Sequence, residues 1–266
     1  MKTIIITGST DGIGKLAAID LAKEGHEVYL HGRSSEKLSA VIAEIKQLSN
    51  NENIGGFVAD FSDLSAVRKM AEEVIQKCSK IDVLINNAGV FKSPQSDNKD
   101  GLDMRMVVNY LAPYVLTEAL IPLMKKAASP RLINLSSAAQ SPVSYTVLKG
   151  KEHRSEGDTY AQSKLALTMW SFYLAKQIPD ISVIALNPGS LLNTNMVKEA
   201  YGRYWSSVDK GGKIIYNLAV LPEYEGVTAK YYDNDKGAFG RAHSDAYDEE
   251  EIEKLIKVTN EIVSKL

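Results

Sequence analysis

Short unbroken apolar runs alternate along this chain with longer segments of helical period. Lys2–Thr7 is a β-branched run stopped by Gly8, the pattern of a strand buried on both faces. From Gly12 to Lys23 the period lengthens. Ile13, Leu16, Ala17 and Leu21 share one helical face, and Gly25 supplies a stop. The alternation then repeats. Strands are predicted at Glu27–His31, Ile54–Ala59, Val83–Asn86, Arg131–Leu135, Ser182–Leu186 and Thr228–Tyr232. Helices are predicted at Ser35–Leu48, Leu64–Cys78, Asp103–Lys126 (with a bend near Pro113), Thr159–Gln177 and Asp248–Lys265. The last helix is acidic at its start and basic at its end, as the helix dipole favours. In Leu64–Cys78, the residues Leu64, Val67, Met70, Ala71, Val74, Ile75 and Cys78 form one stripe; in Ser35–Leu48 the stripe is Leu38, Val41, Ile42, Ile45 and Leu48.

Strands joined by helix-sized crossovers imply an α/β fold: a doubly wound, mostly parallel sheet of about seven strands with helices on both faces. No Pro/Gly-rich linker divides the chain and no internal repeat is visible, so residues 1–266 are expected to form a single domain. In such folds ligands sit beyond the carboxyl ends of the strands.

Composition narrows the function. The net charge of −2 is spread over mixed acids and bases, with no basic stripe for a nucleic-acid partner. Cys78 is the single cysteine, so neither an internal disulfide nor a cysteine-based metal site can form; the four histidines, His26, His31, His153 and His243, show no ligand spacing, and no metal is expected. The N-terminal apolar run is too short for a signal-peptide core, and no stretch reads as about twenty apolar residues able to span a bilayer. A soluble cytoplasmic protein is the expectation.

The candidate chemistry lies at the predicted strand ends. The first strand runs into Thr7-Gly8-Ser9-Thr10-Asp11-Gly12-Ile13-Gly14. Glycines between a first strand and an amphipathic helix allow a tight turn, bring backbone N–H groups to a pyrophosphate and let the helix pack on the strand. The second strand ends in His31-Gly32-Arg33, without the acid that commonly binds a ribose 2′-hydroxyl. An arginine there offers a planar fork to a 2′-phosphate, which favours NADP(H) with NAD(H) as the alternative; a solvated surface arginine is the bland reading. In the helix over 159–177, Tyr160 and Lys164 stand at i and i+4 on one face. A neighbouring ammonium lowers a phenol's pKa from about 10 and makes it a usable acid/base. Surface helices often carry such a pair by chance. Here it coincides with Ser136-Ser137, Asn86-Asn87-Ala88-Gly89, Asn109 and Asn187-Pro188-Gly189, although Asn-Gly and Pro-Gly are also ordinary turn formers.

Taken together these motifs resemble the short-chain dehydrogenase/reductase family over nearly the whole chain, and within it the retinol-dehydrogenase-like and protochlorophyllide-reductase-like branch, to which Tyr160–Ala166 and Gly226–Tyr232 are similar. The resemblance implies a Rossmann-type fold and a catalytic set of Asn109, Ser137, Tyr160 and Lys164. It further implies coenzyme contacts from Thr7 through Gly14 and from Arg33, from Asp60 and Phe61 at the adenine, and from Asn87, Ala88 and Gly89. Tyr160 and Lys164 are expected to touch the coenzyme as well, as is the stretch of Pro188, Gly189, Leu191 and Thr194 over the nicotinamide. Two departures stand out. The polar segment from Ser141 to Asp158, with Lys149, Lys151, His153 and Arg154, lengthens the interval between Ser137 and Tyr160 and reads as a loop over the substrate or a surface excursion. Asn193 occupies the usual place of a threonine that contacts the carboxamide, and Thr194 follows it.

The resemblance implies hydride transfer between nicotinamide and a carbonyl or alcohol. Ser137 would orient the substrate oxygen, Tyr160 supply the proton, Lys164 tune Tyr160, and Asn109 help return a proton through water. Competing readings are an epimerase or dehydratase with a retained coenzyme, and a non-catalytic NADP-binding regulator. Residues 190–224 are expected to build the substrate pocket. Tyr201, Tyr204, Trp205, Leu218, Leu221 and Tyr224 there, beside Lys210 and Lys213, suggest an apolar or aromatic substrate. A homodimer or homotetramer would be in keeping with the family.

Overall fold

The computed structural model describes the whole chain except Arg203 and Trp205 and the side chains of Ala200 and Tyr201; the expectations for Tyr201 and Trp205 lie outside the described residues. One sheet organises the molecule. Its strands are β1 (Thr3–Ile6), β2 (Glu27–Gly32), β3 (Ile54–Val58), β4 (Val83–Asn86), β5 (Arg131–Leu135), β6 (Ser182–Asn187), β7 (Lys230–Asp233) and β8 (Ala238–Gly240), in the order β3-β2-β1-β4-β5-β6-β7-β8. The first seven are mutually parallel, as the pattern predicts. The eighth strand was not foreseen. It is antiparallel to β7 and only three residues long, with all three exposed, so it carries no apolar periodicity.

The helices are α1 (Gly12–Lys23), α2 (Ser35–Ser49), α3 (Leu64–Lys77), α4 (Met104–Met106), α5 (Ala112–Met124), α6 (Tyr145–Leu148), α7 (Glu156–Gln177), α8 (Asn195–Tyr201), α9 (Val208–Val220) and α10 (Glu249–Val263). They cover both faces. Ile4, Ile6, Ile85 and Leu186 point into a core shared with α1, α2 and α9, while Ile5, Leu84, Leu132 and Val183 point into the other, shared with α3, α5, α7 and α10. Adjacent residues of one strand thus serve opposite faces, which is why these strands read as unbroken apolar runs.

Local departures have local causes. The segment expected to bend near Pro113 instead widens into a π-helical turn at Val107–Leu111, between α4 and α5. Pro113 has no N–H for the carbonyl of Asn109 four residues back, and Ala112 donates instead to Val107, five residues back. Helix α7 starts at Glu156 because Ser155 caps it, its hydroxyl accepting from the Asp158 N–H. The last turn of α10 holds no basic residue; Lys265 lies beyond its end at Val263. Leu48, in the last turn of α2, and Ile75, one position off the Leu64–Val67–Ala71–Val74 line, are exposed rather than buried. Met104–Met124, contrary to expectation, is long and apolar enough to cross a membrane by length and composition. It is mostly buried inside the molecule, and its apolar character is that of a core helix.

The doubly wound order reverses at β1, which lies between β2 and β4. The crevice that this reversal opens beyond the carboxyl ends of β1 and β4 is where a ligand is expected.

Candidate active site

Beyond those strand ends lies a cleft of about 1270 Å³. Its floor is the turn after β1. Gly8 and Gly12 adopt left-handed backbone, with φ of 61° and 58°, which only glycine takes without strain. The glycines also meet a packing need. A Cβ on Gly8 would stand 2.7 Å from the Ala88 Cα, and one on Gly14 would overlap Asn87 Nδ2 and come within 2.9 Å of the Gly8 carbonyl oxygen. The segment after β4 is therefore pressed against the turn and bonded to it. Asn87 Nδ2 donates to the Thr7 and Gly8 carbonyls, each at 2.8 Å, while Thr7 Oγ1 accepts from the Asn87 and Ala88 N–H groups, each at 3.0 Å.

Asp11 caps α1 by accepting from the Gly12 N–H at 2.8 Å. It also accepts from Asn195 Nδ2 at 2.7 Å and lies 3.4 Å from Lys37 Nζ. Burial alone would raise its pKa, but the Gly12 N–H and the Lys37 charge outweigh that and hold the carboxyl below its usual range. Gly12 and Ile13, at the positive end of α1, face the cleft together with Gly8, Thr10 and Asp11. Thr7, Ser9 and Gly14 stand one layer behind, where they shape the turn.

At the end of β2, Arg33 is exposed on the cleft wall, and Lys37, on the first turn of α2, lies on the same wall. Lys37 is a second cation that the sequence reading missed. It follows Arg33 by four residues, across the Ser34 cap and into the first turn of α2, a proximity that could have been read once α2 was placed. Asp60 and Phe61 line the cleft at the end of β3, as expected. His31 was also missed. It is buried between the ends of β1, β2 and β3, its Nδ1 accepting from the Gly8 N–H at 3.0 Å and its Nε2 lying 3.0 Å from the Ala59 carbonyl; its ring stacks on Phe61 at 4.1 Å.

On the opposite side, α7 presents Tyr160 and Lys164 to the cleft. Lys164 is almost wholly buried. Its Nζ donates to the Leu135 carbonyl at 2.7 Å and lies 5.6 Å from the centre of the Tyr160 ring, and burial pushes its pKa down to about 8. The face of Tyr160 is met by Phe91, with ring centres 4.8 Å apart.

Asn109 sits in the π turn just behind. Its Oδ1 accepts from the Val90 N–H at 2.7 Å, and its Nδ2 donates to the Val90 carbonyl and to Ser163 Oγ, each at 3.0 Å; Ser163 in turn donates to the Tyr160 carbonyl at 2.7 Å. The Asn109 side chain is thus a brace between the segment after β4 and α7. Gly89 fits beside both groups, since a Cβ there would come 3.3 Å from Asn109 Oδ1 and 3.5 Å from Lys164 Nζ.

Ser136 lines the cleft, its hydroxyl committed to Thr168 and the Lys164 carbonyl, and Ser137 is the next residue in the chain. Its Oγ accepts from the Ala139 N–H at 3.1 Å in the turn after β5. Over the cleft, Pro188, Gly189, Leu192 and Thr194 form the wall; Leu191, in left-handed backbone at φ 48°, does not. Thr194 rather than Asn193 reaches the cleft, with its hydroxyl accepting from the Val197 N–H to cap α8.

The inserted segment 141–158 is not a lid. Val147 and Leu148 of α6 are fully buried, Tyr145 Oη donates to Glu251 on α10 at 2.7 Å, and Lys149 pairs with Glu261. Of its residues Glu156, the first of α7, lines the cleft. Of the described residues in 190–224, Leu192, Thr194, Asn195, Met196, Val197 and Glu199 line the cleft. Leu218 lies in the core of α9, and Tyr224 packs on Tyr232 and Phe239 at the sheet edge, because α9 serves to cover the sheet against α1.

The described residues hold no group of His, Cys, Asp or Glu able to bind a metal. The glycine cradle, the open end of α1 and the two cations after β2 fit a phosphorylated dinucleotide.

Comparison with known proteins agrees with this geometry. The profile of the short chain dehydrogenase family matches residues 2–204. Mouse retinol dehydrogenase 13 is 31% identical over 274 residues, covering 96% of this chain and 81% of its own length. Human polyprenol dehydrogenase is 29% identical, covering 88% and 77%. Among solved structures, a protein of the short chain dehydrogenase class from Escherichia coli CFT073, crystallised with NADPH, superposes with a TM-score of 0.73 at 26% identity, covering 88% of this chain and 96% of its own. A Mycobacterium paratuberculosis protein shares the fold with a TM-score of 0.79 at 24% identity, covering 99% and 94%. With its α/β sheet, its glycine turn and its Tyr160–Lys164 pair at one cleft, the chain belongs to the short-chain dehydrogenase family of NAD(P)-dependent oxidoreductases.

Proposed function

We propose that this protein is an NADPH-dependent oxidoreductase that interconverts a carbonyl and an alcohol on a largely apolar or aromatic substrate. The observation that carries this is the buried Lys164 ammonium held beside Tyr160 on a cleft whose other end is a glycine turn. NADPH, when bound, supplies the hydride.

The chain's own residues do the rest. The Gly8–Gly12 turn and the positive end of α1 receive the pyrophosphate. Arg33 and Lys37 grip the 2′-phosphate, a preference supported by the absence of an acid at the end of β2 and by the NADPH-bound Escherichia coli relative. Asp60 and Phe61 border the adenine, and Pro188, Gly189 and Thr194 border the nicotinamide.

Tyr160 gives its phenol proton to the substrate oxygen in reduction and takes one back in oxidation. Lys164, fixed by the Leu135 carbonyl, places a positive charge beside the phenol and favours its ionised form. Ser137 only accepts from Ala139, so its own proton remains available to hold the substrate oxygen. Asn109 acts through position: it locks Val90 to Ser163 and thereby sets where α7 presents Tyr160. Apolar substrates are favoured by Phe91, Met104, Val108, Met196 and Val197 on the cleft wall, and by the retinol and polyprenol named for the relatives.

Titration of the coenzyme tests the reading. NADPH should bind more tightly than NADH, and Arg33→Ala should weaken NADPH by about tenfold or more while leaving NADH little changed. Equal affinity for the two coenzymes in the wild type would refute the 2′-phosphate assignment.

A further inference from the structure

Helix α7 carries one more polar group toward the cleft. Glu156 precedes Tyr160 by four residues, as Tyr160 precedes Lys164, so Glu156, Tyr160 and Lys164 form a single row on one helix face. All three line the cleft. One helical turn separates Glu156 from Tyr160, about 6 Å along the axis.

Within the protein this carboxylate makes one long ion pair. Among the described residues its partner is Arg105, with Nη1 at 3.7 Å, and Arg105 is also held by Asp103, which accepts from its Nε at 3.0 Å and its Nη2 at 2.6 Å. Nη1 makes no hydrogen bond, so Glu156 approaches it without bonding to it. The Glu156 side chain remains 42% exposed. Asp158, two residues on, is engaged elsewhere, with Arg154 and Gln162. Lys92 and Glu199 also line the cleft, so with Lys164 the charges of this half balance. Glu156 differs from these two in standing on the row of the reacting residues.

We propose that Glu156 is a specificity-determining residue and that the preferred substrate is a carbonyl compound carrying a positively charged nitrogen about one helical turn from the reacting carbonyl. This rests on the carbonyl-reductase reading above. The apolar walls would hold the body of such a molecule, Tyr160 its oxygen, and Glu156 its cation. An acid in the first turn of a helix also suits the helix dipole, and a purely structural role of that kind would not discriminate substrates by charge.

Two matched aldehydes separate the cases: para-(trimethylammoniomethyl)benzaldehyde and its uncharged isostere para-neopentylbenzaldehyde, each followed by NADPH oxidation. The ratio of kcat/KM for the cation over the isostere should be at least about fivefold in the wild type, the scale of one partly exposed ion pair. It should fall to about one in Glu156→Gln, and Glu156→Lys should instead favour the anionic para-(carboxymethyl)benzaldehyde. The ratio is unaffected by a general loss of fold or coenzyme affinity. A wild-type ratio near one, or a preference that survives in Glu156→Gln, overturns the proposal while leaving the reductase reading intact. Failure to turn over any of the three aldehydes, with NADPH bound, would sink the reductase reading and this proposal with it.

Discussion

His31 Nδ1 accepts a hydrogen bond from the Gly8 N–H at 3.0 Å. That contact fixes the tautomer: Nδ1 has no proton, so Nε2 carries it and donates to the Ala59 carbonyl at 3.0 Å. A neutral imidazole thus ties the first residue of the glycine turn to the end of β3. Ser9 adds a second tie, since its N–H donates to the His31 carbonyl and its Oγ accepts from the His31 N–H.

This arrangement has a pH signature. Burial pushes the His31 pKa down to about 4, whereas the unfolded chain takes up the proton near 6.5. Between these values the unfolded state binds more protons, so stability falls as pH drops from about 6.5 to about 4. Urea denaturation across that range should show this loss, and His31→Gln should lack the component. An unchanged pH slope in the variant would contradict the neutral, buried assignment.

Lys164 acts in the same sense at higher pH. Its pKa falls to about 8 against 10.5 for the free side chain, so the unfolded state holds the extra proton between these values. Stability should therefore rise with pH from about 8 to about 10.5. Carbon NMR of the Lys164 Cε in the coenzyme-free protein should show a midpoint near 8, and Lys164→Met should remove its share of the rise.

Tyr160→Phe removes the proton donor and leaves the ring packed on Phe91. Single-turnover rates with a neutral aldehyde should fall by about 10²–10⁴-fold, the range of general acid catalysis. NADPH affinity should change little, because the ring stays in place. Near-normal turnover would remove Tyr160 from its assigned role.

The glycine turn separates steric from conformational demand. Gly14→Ala drives a methyl into Asn87 and should displace it from the Thr7 and Gly8 carbonyls, at a cost of about 1–3 kcal/mol in denaturant midpoint experiments and with weaker NADPH binding. Gly12→Ala meets nothing nearer than Thr194 Cγ2 at 3.7 Å, so only its φ of 58° is strained, costing about 1–2 kcal/mol. A larger loss for Gly12 than for Gly14 would reverse this ranking.

The sequence by itself determined the seven parallel strands, the helices that follow β1 to β5 and the last helix, whereas α9 between β6 and β7 was read only as part of a substrate segment. These depend on signals local in the chain: a period of side-chain burial, a cap, a glycine where φ is positive. The i,i+4 relation of Tyr160 and Lys164 is likewise a property of one helix, and it was legible before any packing was known. The tertiary structure decided what depends on two distant segments meeting. Only the approach of β2 to the glycine turn reveals His31 as a brace, because a lone histidine on a strand has no periodic partner. Only the bonding of α6 to α10 removes the inserted segment from over the cleft, since Tyr145 donates to Glu251 and Lys149 pairs with Glu261, each more than a hundred positions away in the chain. The partners of Ser137 in the turn after β5 and of Glu156 on the cleft wall are set in the same way. Each depends on which neighbour claims a side chain's hydrogen bonds, and that is a question of three-dimensional competition which no one-dimensional pattern encodes.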